Sequence, residues 1–133
     1  MRLSEKHVVK LVVATLATYS YSLEKAWSLR DALKAAGLCD PSWVAGQDEQ
    51  TVGNALKAAG YDRGGITYII APRLVSLMNA VRAGELDALV GFLDRGNADG
   101  FCETLGALKG FGPKSARIAW ELMASSGARG KKG

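Results

Sequence analysis

The segment LGALKGFGPKSARIAW, residues 105–120, places a glycine-rich turn between two stretches that both have helical spacing. Proline fits the first turn of a helix, where its missing N–H group costs no hydrogen bond. Glycine adopts dihedral angles that a Cβ resists, and it lets another group approach the main chain closely. The pattern therefore predicts one helix that ends at Lys109 and a second that begins at Pro113. The tight turn between them runs through Gly110 and Gly112.

The second helix of this predicted hairpin has an apolar face and a charged face. The apolar face carries Ala116, Ala119, Trp120 and Met123. The opposite, exposed face carries Lys114, Arg117 and Glu121. Phe111, between the two glycines, is expected to turn inward and pin the helices together. Free N–H groups and the positive end of the dipole make a helix start an anion site, here flanked by cations.

The positive charge of the chain is concentrated at and after this turn. The net charge is +4, yet residues 1–108 sum to −1 and residues 109–133 sum to +5. Such an excess attracts a polyanion. The predicted DNA contacts, made mainly to phosphates, are Lys109, Gly110, Phe111, Gly112, Lys114, Ser115 and Arg117. The last cations, Arg129, Lys131 and Lys132, fit a solubilising tail equally well.

Apolar residues recur at helical spacing almost throughout the chain, which predicts an all-α fold. We expect a compact bundle of about six or seven helices, with one domain over 1–125, a helix-hairpin-helix at 99–125 and a flexible basic tail at 126–133. The predicted helices before the turn cover about 4–20, 23–36, 49–59, 65–84, 85–93 and 101–108. The fourth is bent or restarted at Pro72, and its β-branched start also fits an extended segment.

Other features limit the functional classes. No apolar run approaches the length of about 18 residues that a membrane span needs. Cys39 and Cys102 form neither a metal cage nor a disulfide framework, which favours a reduced, cytoplasmic setting. No metal and no cofactor are expected, apart from a monovalent cation that the hairpin turn could hold. His7 has no visible partner for catalysis.

The stretch LKGFGPKSA, residues 108–116, resembles the helix-hairpin-helix of the base-excision DNA glycosylases related to endonuclease III, the HhH-GPD superfamily. A weaker likeness extends upstream to about residue 48. The resemblance implies a reduced form of the glycosylase helical barrel and a role in DNA repair. It also implies that Gly110, Gly112 and the amides after them hold phosphate. Lys114 takes the position of the Schiff-base lysine of those members that are lyases.

The chain departs from that family after the hairpin. The family uses a carboxylate in a following loop, whereas the only carboxylate side chain after Lys114 is Glu121, about 10 Å further along the same helix. The four-cysteine iron–sulfur loop of some members is also absent. Relative to the family, the chain thus lacks the catalytic C-terminal half. The sequence therefore favours a DNA binder with little sequence specificity over an enzyme.

Two other functions and two other sites stay open at this point. The alternatives are a small DNA glycosylase or abasic-site lyase that uses Lys114, and a protein–protein adaptor that uses the hairpin. A protein partner is compatible with the sequence. The sequence does not specify the oligomeric state. Tyr61 and Arg63, before two glycines, form a second candidate for phosphate contact. For the tryptophans, the sequence favours core packing over stacking on bases; these are Trp27, Trp43 and Trp120.

Overall fold

Every regular element in the described part of the computed structural model is an α-helix, which confirms the all-α prediction. The structure describes residues 3–18, 20–108 and 111–132, and for residues 125–132 it describes the backbone only. The described helices, in chain order, are α1 (Glu5–Leu16), α2 (Leu23–Ser28), α3 (Arg30–Ala35), α4 (Pro41–Ala45), α5 (Glu49–Ala58), α6 (Gly65–Arg82), α7 (Ala88–Arg95), α8 (Ala98–Gly106) and α9 (Pro113–Lys132).

Helix α1 lies at the centre of the fold. Its residues from Leu11 to Leu16 are all at most 2% exposed, and α2, α3, α6 and α9 pack around it. The hydroxyl of Thr15 donates to the carbonyl of Leu11 at 2.9 Å, so the buried polar group is satisfied. The spacing predicted a helix over 4–20 with one apolar stripe. The predicted extent is wrong, because the helix ends at Leu16. The apolar stripe is buried as predicted, and from Leu11 to Leu16 the other sides of the helix are buried as well.

The predicted helix over 23–36 is two short helices. Leu29 separates α2 from α3, and its N–H donates to the carbonyl of Ala26 three residues back, which tightens the turn. The sequence pattern missed α4 altogether. This helix begins at Pro41, and the carboxylate of Asp40 accepts the N–H of Ser42 at 3.0 Å. These two differences explain why the described part has nine helices rather than six or seven.

Helices α5 and α6 pack against each other. Asp48 caps α5, with its side chain accepting the N–H of Thr51 at 2.7 Å. Gly53 is essential to the packing, because a Cβ there would overlap the ring of Tyr68 on α6. Helix α6 continues through Pro72 without a break, so the extended alternative for its first residues is wrong.

Helices α7, α8 and α9 complete the bundle. Only Gly96 and Asn97 separate α7 from α8. Gly96 is left-handed, with a φ of 68°, and the side chain of Asn97 caps α8 by accepting the N–H of Gly100. Helix α7 begins at Ala88 rather than at 85, because residues before it form a turn. Helix α9 includes residues 126–132. The flexibility expected of 126–133 stays a prediction, since their side chains and Gly133 lie outside the described residues.

The start of α1 depends on the protonation state of His7. The side chain of Ser4 accepts the N–H of His7 at 3.2 Å, and Nδ1 of His7 accepts the N–H of Ser4 at 3.0 Å. This reciprocal pair is a capping box with histidine as the second acceptor. A protonated imidazole carries a hydrogen on Nδ1 and has no lone pair there. The box therefore requires neutral His7.

We expect acid to weaken this cap. Partial burial and the nearby charge of Lys10 lower the pKa of His7, while Asp94 on α7 partly opposes them. Because the folded-state pKa lies below the unfolded value of about 6.5, the contribution of His7 to stability is complete above that pH and is lost as the pH falls below it. The loss should not exceed the value of a helix cap, about 1 kcal/mol.

Urea unfolding measured at pH values on both sides of that value tests this expectation. His7→Gln is the matched control, because its amide oxygen is an acceptor that does not titrate in this range. The two proteins carry the same carboxylates, so the difference between their pH profiles reports the imidazole. Identical pH dependence of the unfolding free energy in the two proteins would contradict the assignment.

Candidate nucleic-acid interface

The turn between α8 and α9 is short and internally hydrogen-bonded. Helix α8 ends at Gly106, three residues before the predicted end at Lys109, because the N–H of Leu108 already donates to the carbonyl of Leu105 in a tighter turn. The N–H of Phe111 then donates to the carbonyl of Leu108 at 3.0 Å. Two predicted contact residues, Lys109 and Gly110, lie outside the described residues, as does the turn position expected to hold a cation.

Phe111 packs the turn against the core. Its side chain is 4% exposed, which confirms the prediction that it points inward. The predicted DNA contact at this position is therefore limited to the backbone, since the ring is not available to a ligand. Burying the ring removes a large apolar area from water and fixes where the turn sits relative to α8 and α9.

Helix α9 begins at Pro113 as predicted, and its first amides point out of the helix. Among the bonds between described residues, the first from this helix to the preceding turn is that of the Ala116 N–H, at 3.0 Å from the carbonyl of Gly112. Proline has no N–H, so the backbone amides of Lys114 and Ser115 come before the first bond of the helix. They lie at the positive end of a long helix dipole. This is an arrangement that binds anions.

Gly112 contributes open space rather than an unusual backbone conformation. The sequence pattern predicts that glycine is needed here for dihedral angles that a Cβ resists, but Gly112 is not among the described glycines with positive φ. At Gly112 that expectation is wrong, because its φ is not positive; Gly110, to which the same expectation applies, lies outside the described residues. Nothing lies within 4 Å of the place that a Cβ would occupy. A ligand can therefore reach the main chain at Gly112.

The two faces of α9 are as the spacing predicts. Lys114, Arg117 and Glu121 are exposed, whereas the small and apolar residues of the other face are buried or half-buried: Ala116, Ala119, Trp120 and Met123. Ser115, a predicted contact residue, falls on the buried face with 8% exposure. Its spacing of four residues from Ala119 places its side chain toward the core. Only its backbone amide is therefore placed to contact a ligand.

The exposed cations of α9, Lys114 and Arg117, form a narrow positive surface. Arg117 lies 4.0 Å from Glu121, one turn along, and both side chains are more than half exposed, so the ion pair contributes little to stability. On its other side Arg117 lines a groove of about 690 Å³ together with Asp99 and Glu103 of α8. These carboxylates repel a phosphate. An anion is therefore best received at the turn, beside Lys114.

The second phosphate candidate, at Tyr61 and Arg63, is part of the structural frame. Tyr61 is fully buried, and its hydroxyl donates to the carbonyl of Leu16 at 3.0 Å. Burial raises the pKa of Tyr61, with Arg63 opposing the shift. The Arg63 guanidinium donates to the carbonyl of Thr18 at 2.9 Å and lies 4.9 Å from the ring centre of Tyr21. These contacts hold the end of α1 against the loop before α6.

The tryptophans pack against the core with partial exposure, in agreement with the favoured interpretation. A Cβ placed on Gly37 would lie 3.2 Å from the ring of Trp43. The rings of Trp120 and Phe101 meet edge to face, with their centres 5.2 Å apart. Trp27 is covered on one side by the guanidinium of Arg30.

The two cysteines differ in their surroundings. Burial raises the pKa of the Cys39 thiol to about 11, so it is protonated near neutral pH, and Cys102 is half-buried on α8. Among the described residues no group of three or more His, Cys, Asp or Glu side chains could hold a metal ion. Over the same residues, no helix has both the length and the apolar character that crossing a bilayer requires.

One feature of the hairpin region was not predicted. A groove of about 910 Å³ runs along the outer face of α6 and reaches Leu108, just before the turn. Ile69 on its floor is 47% exposed. The signal was present in the sequence as a second apolar and small-residue stripe on α6, opposite the buried stripe of Leu74, Leu77 and Met78.

Comparisons of the chain with protein-family models, with curated proteins and with solved structures found no match. Function therefore has to be argued from the geometry of the chain itself.

Proposed function

We propose that the protein binds the phosphate backbone of DNA, largely without sequence specificity, through the α8–α9 hairpin. The observation that supports this most directly is the open start of α9. The amides of Lys114 and Ser115 precede the first bond of the helix, and Gly112 leaves the main chain accessible. The exposed side chains of Lys114 and Arg117 follow on the same helix.

The chemistry of this surface favours phosphate over bases. Backbone amides and cationic side chains position a protein on DNA but carry no sequence information by themselves. The described hairpin offers no exposed aromatic side chain for stacking, because Phe111 is buried. Recognition through these groups depends on the shape and charge of the backbone. The likeness of residues 108–116 to the glycosylase hairpin supports the same proposal.

A lyase that uses Lys114 is the enzymatic alternative. Lys114 is exposed, so an abasic sugar could reach its amine. Glu121 lies two turns further along α9, about 10 Å by helical rise, and it is next to Arg117 instead. A lyase needs a group near the amine to move protons. The geometry thus favours binding over catalysis.

We expect DNA affinity to depend steeply on salt. If the hairpin engages about three phosphates, counterion release gives a log–log slope near −2.7 and a loss of roughly 40-fold between about 50 and 200 mM salt. Replacing both Lys114 and Arg117 by alanine should reduce the slope toward about −0.9, because two of the three contacts are lost. Fluorescence anisotropy with duplexes of unrelated sequence measures both quantities.

The matched control for that double variant is Lys25→Ala with Lys57→Ala, which removes two exposed positive charges from α2 and α5. This control should keep the wild-type slope. A flat salt response of the wild-type protein, or equal slopes for the two double variants, would rule out binding at the hairpin.

Gly112→Val should abolish most of the DNA binding while the protein still folds. The valine side chain extends into open space, so it blocks a phosphate without disturbing the core. Gly65→Val is the matched control, because Gly65 is also an exposed glycine at a helix start with nothing near its Cβ position. Thermal unfolding by circular dichroism verifies that both variants fold.

Replacing Lys131 and Lys132 together should weaken binding less than Gly112→Val, because the charges of the solubilising tail that the sequence predicts would be strongly screened. Equal losses for the two variants would assign DNA binding to the chain end. A larger loss in Gly65→Val than in Gly112→Val would assign it to the start of α6.

Borohydride trapping separates the binder from the lyase. We expect no covalent complex between the wild-type protein and abasic DNA, and only modestly weaker binding in Lys114→Ala. The reduction captures a Schiff base if one forms, so the assay reports on the amine directly. An adduct that forms with wild-type protein and disappears in Lys114→Ala would establish the lyase instead.

The adaptor alternative is favoured by a different observation. The α6 groove begins beside Leu108 and so places an apolar surface on the hairpin side of the molecule. This surface is separate from the exposed face of α9, and it is compatible with DNA binding there.

A further inference from the structure

The α6 groove follows a single face of one helix. Its floor begins at Ile69 and includes Pro72, Ser76 and Ala83. These three residues follow Ile69 by three, seven and fourteen positions, so all four lie along one side of α6. At 1.5 Å per residue this floor is about 21 Å long. That length matches roughly four turns of a second helix.

The exposed isoleucine at one end of the groove is unusual for this molecule. Ile69 is the one large hydrophobic side chain that is exposed among the residues whose side chains the structure describes. A single exposed isoleucine needs no explanation on a flat surface. Here it lies in a groove with half-buried Val75 and Leu108. An elongated groove with apolar anchors is the form in which proteins receive an amphipathic helix.

The rim of the groove is acidic. Glu49, at the start of α5, and Glu85, just after α6, are both exposed and line it. Within the described part of the chain neither carboxylate takes part in an ion pair. Arg73 is the one described cation in the lining. The surplus of negative charge disfavours DNA in this groove and favours a ligand with positive charge.

We propose that the α6 groove binds an amphipathic α-helix of a partner protein. Its apolar side chains contact Ile69 and Leu108, and its lysine or arginine side chains lie over Glu49 and Glu85. The partner helix spans about four turns, which is the length of the floor. This inference goes beyond DNA binding and does not rest on it, because the groove and the exposed face of α9 are different surfaces.

A second copy of this chain fits the groove less well. The exposed face of α9 is charged rather than apolar, with Lys114, Arg117 and Glu121. Pairing two α6 grooves would bring Glu49 and Glu85 of both copies into one interface, where like charges repel. The acidic rim therefore selects a basic helix from a different protein.

The test uses two synthetic peptides with the full chain. Each peptide has about 14 residues with leucines at i, i+3, i+4 and i+7. One carries lysines at the remaining exposed positions, and the other carries glutamates there. We expect the lysine peptide to bind at least about tenfold more tightly, measured by fluorescence anisotropy. Amide chemical shifts should change along 69–83 of α6.

Two substitutions test the residues assigned to the groove. Ile69→Glu should weaken binding of the lysine peptide by about tenfold or more, because it replaces the exposed apolar anchor by a charge. Ala32→Glu is the matched control, since Ala32 is exposed on α3 and gains the same charge away from the groove. Glu49→Gln combined with Glu85→Gln should remove most of the preference for the lysine peptide over the glutamate peptide.

Several results would overturn the proposal. These are no binding of the lysine peptide, equal binding of both peptides, or equal effects of Ile69→Glu and Ala32→Glu. A dimer in sedimentation that Ile69→Glu dissociates would assign the groove to a second copy. Chemical-shift changes along 69–83 on adding duplex DNA would assign it to nucleic acid. Loss of DNA binding in Gly112→Val with peptide binding retained would leave this proposal intact and separate it from the first.

Discussion

The burial of the second half of α1 on every side is the constraint on which the other helices depend. Residues Leu11 to Leu16 have almost no contact with solvent, and one helix can be covered on all sides only by several others. Helix α9 covers one side, α6 another, and the short helices α2 and α3 a third. Tyr61 fixes the end of the central helix through its hydrogen bond to Leu16. The hairpin is therefore held in place by a helix far from it in sequence.

The elements that could be predicted are those specified by local chemistry. Asp48 as an N-cap, Pro113 as a helix start and the inward side of Phe111 each follow from residue type and immediate neighbours. The elements that could not be predicted depend on tertiary packing. Periodicity finds the stripe on α1, but it does not show that Val9, Val13 and Ala14 face other helices rather than solvent.

The candidate site was predictable in outline and less so in detail. The exposed positions of Lys114 and Arg117 follow from helical spacing, and so does the burial of Ser115 once its alignment with Ala119 is considered. The carboxylates of Asp99 and Glu103 beside Arg117 could not be foreseen, because they are on the preceding helix and their distance depends on how α8 and α9 pack. The α6 groove could not be foreseen for the same reason, because its lining adds Glu49 of α5, Glu85 of the turn after α6 and Leu108 of the turn before α9 to one face of α6.

The order of helices along the chain has a consequence for synthesis. A ribosome completes the central helix, which ends at Leu16, long before it reaches Pro113, where one of the covering helices begins. The most completely buried segment of the fold is therefore synthesised early and covered late. Exposed apolar surface of this kind promotes aggregation of incompletely folded chains. The central helix accordingly reaches its final packing only after α9 has been synthesised, although the finished fold is small.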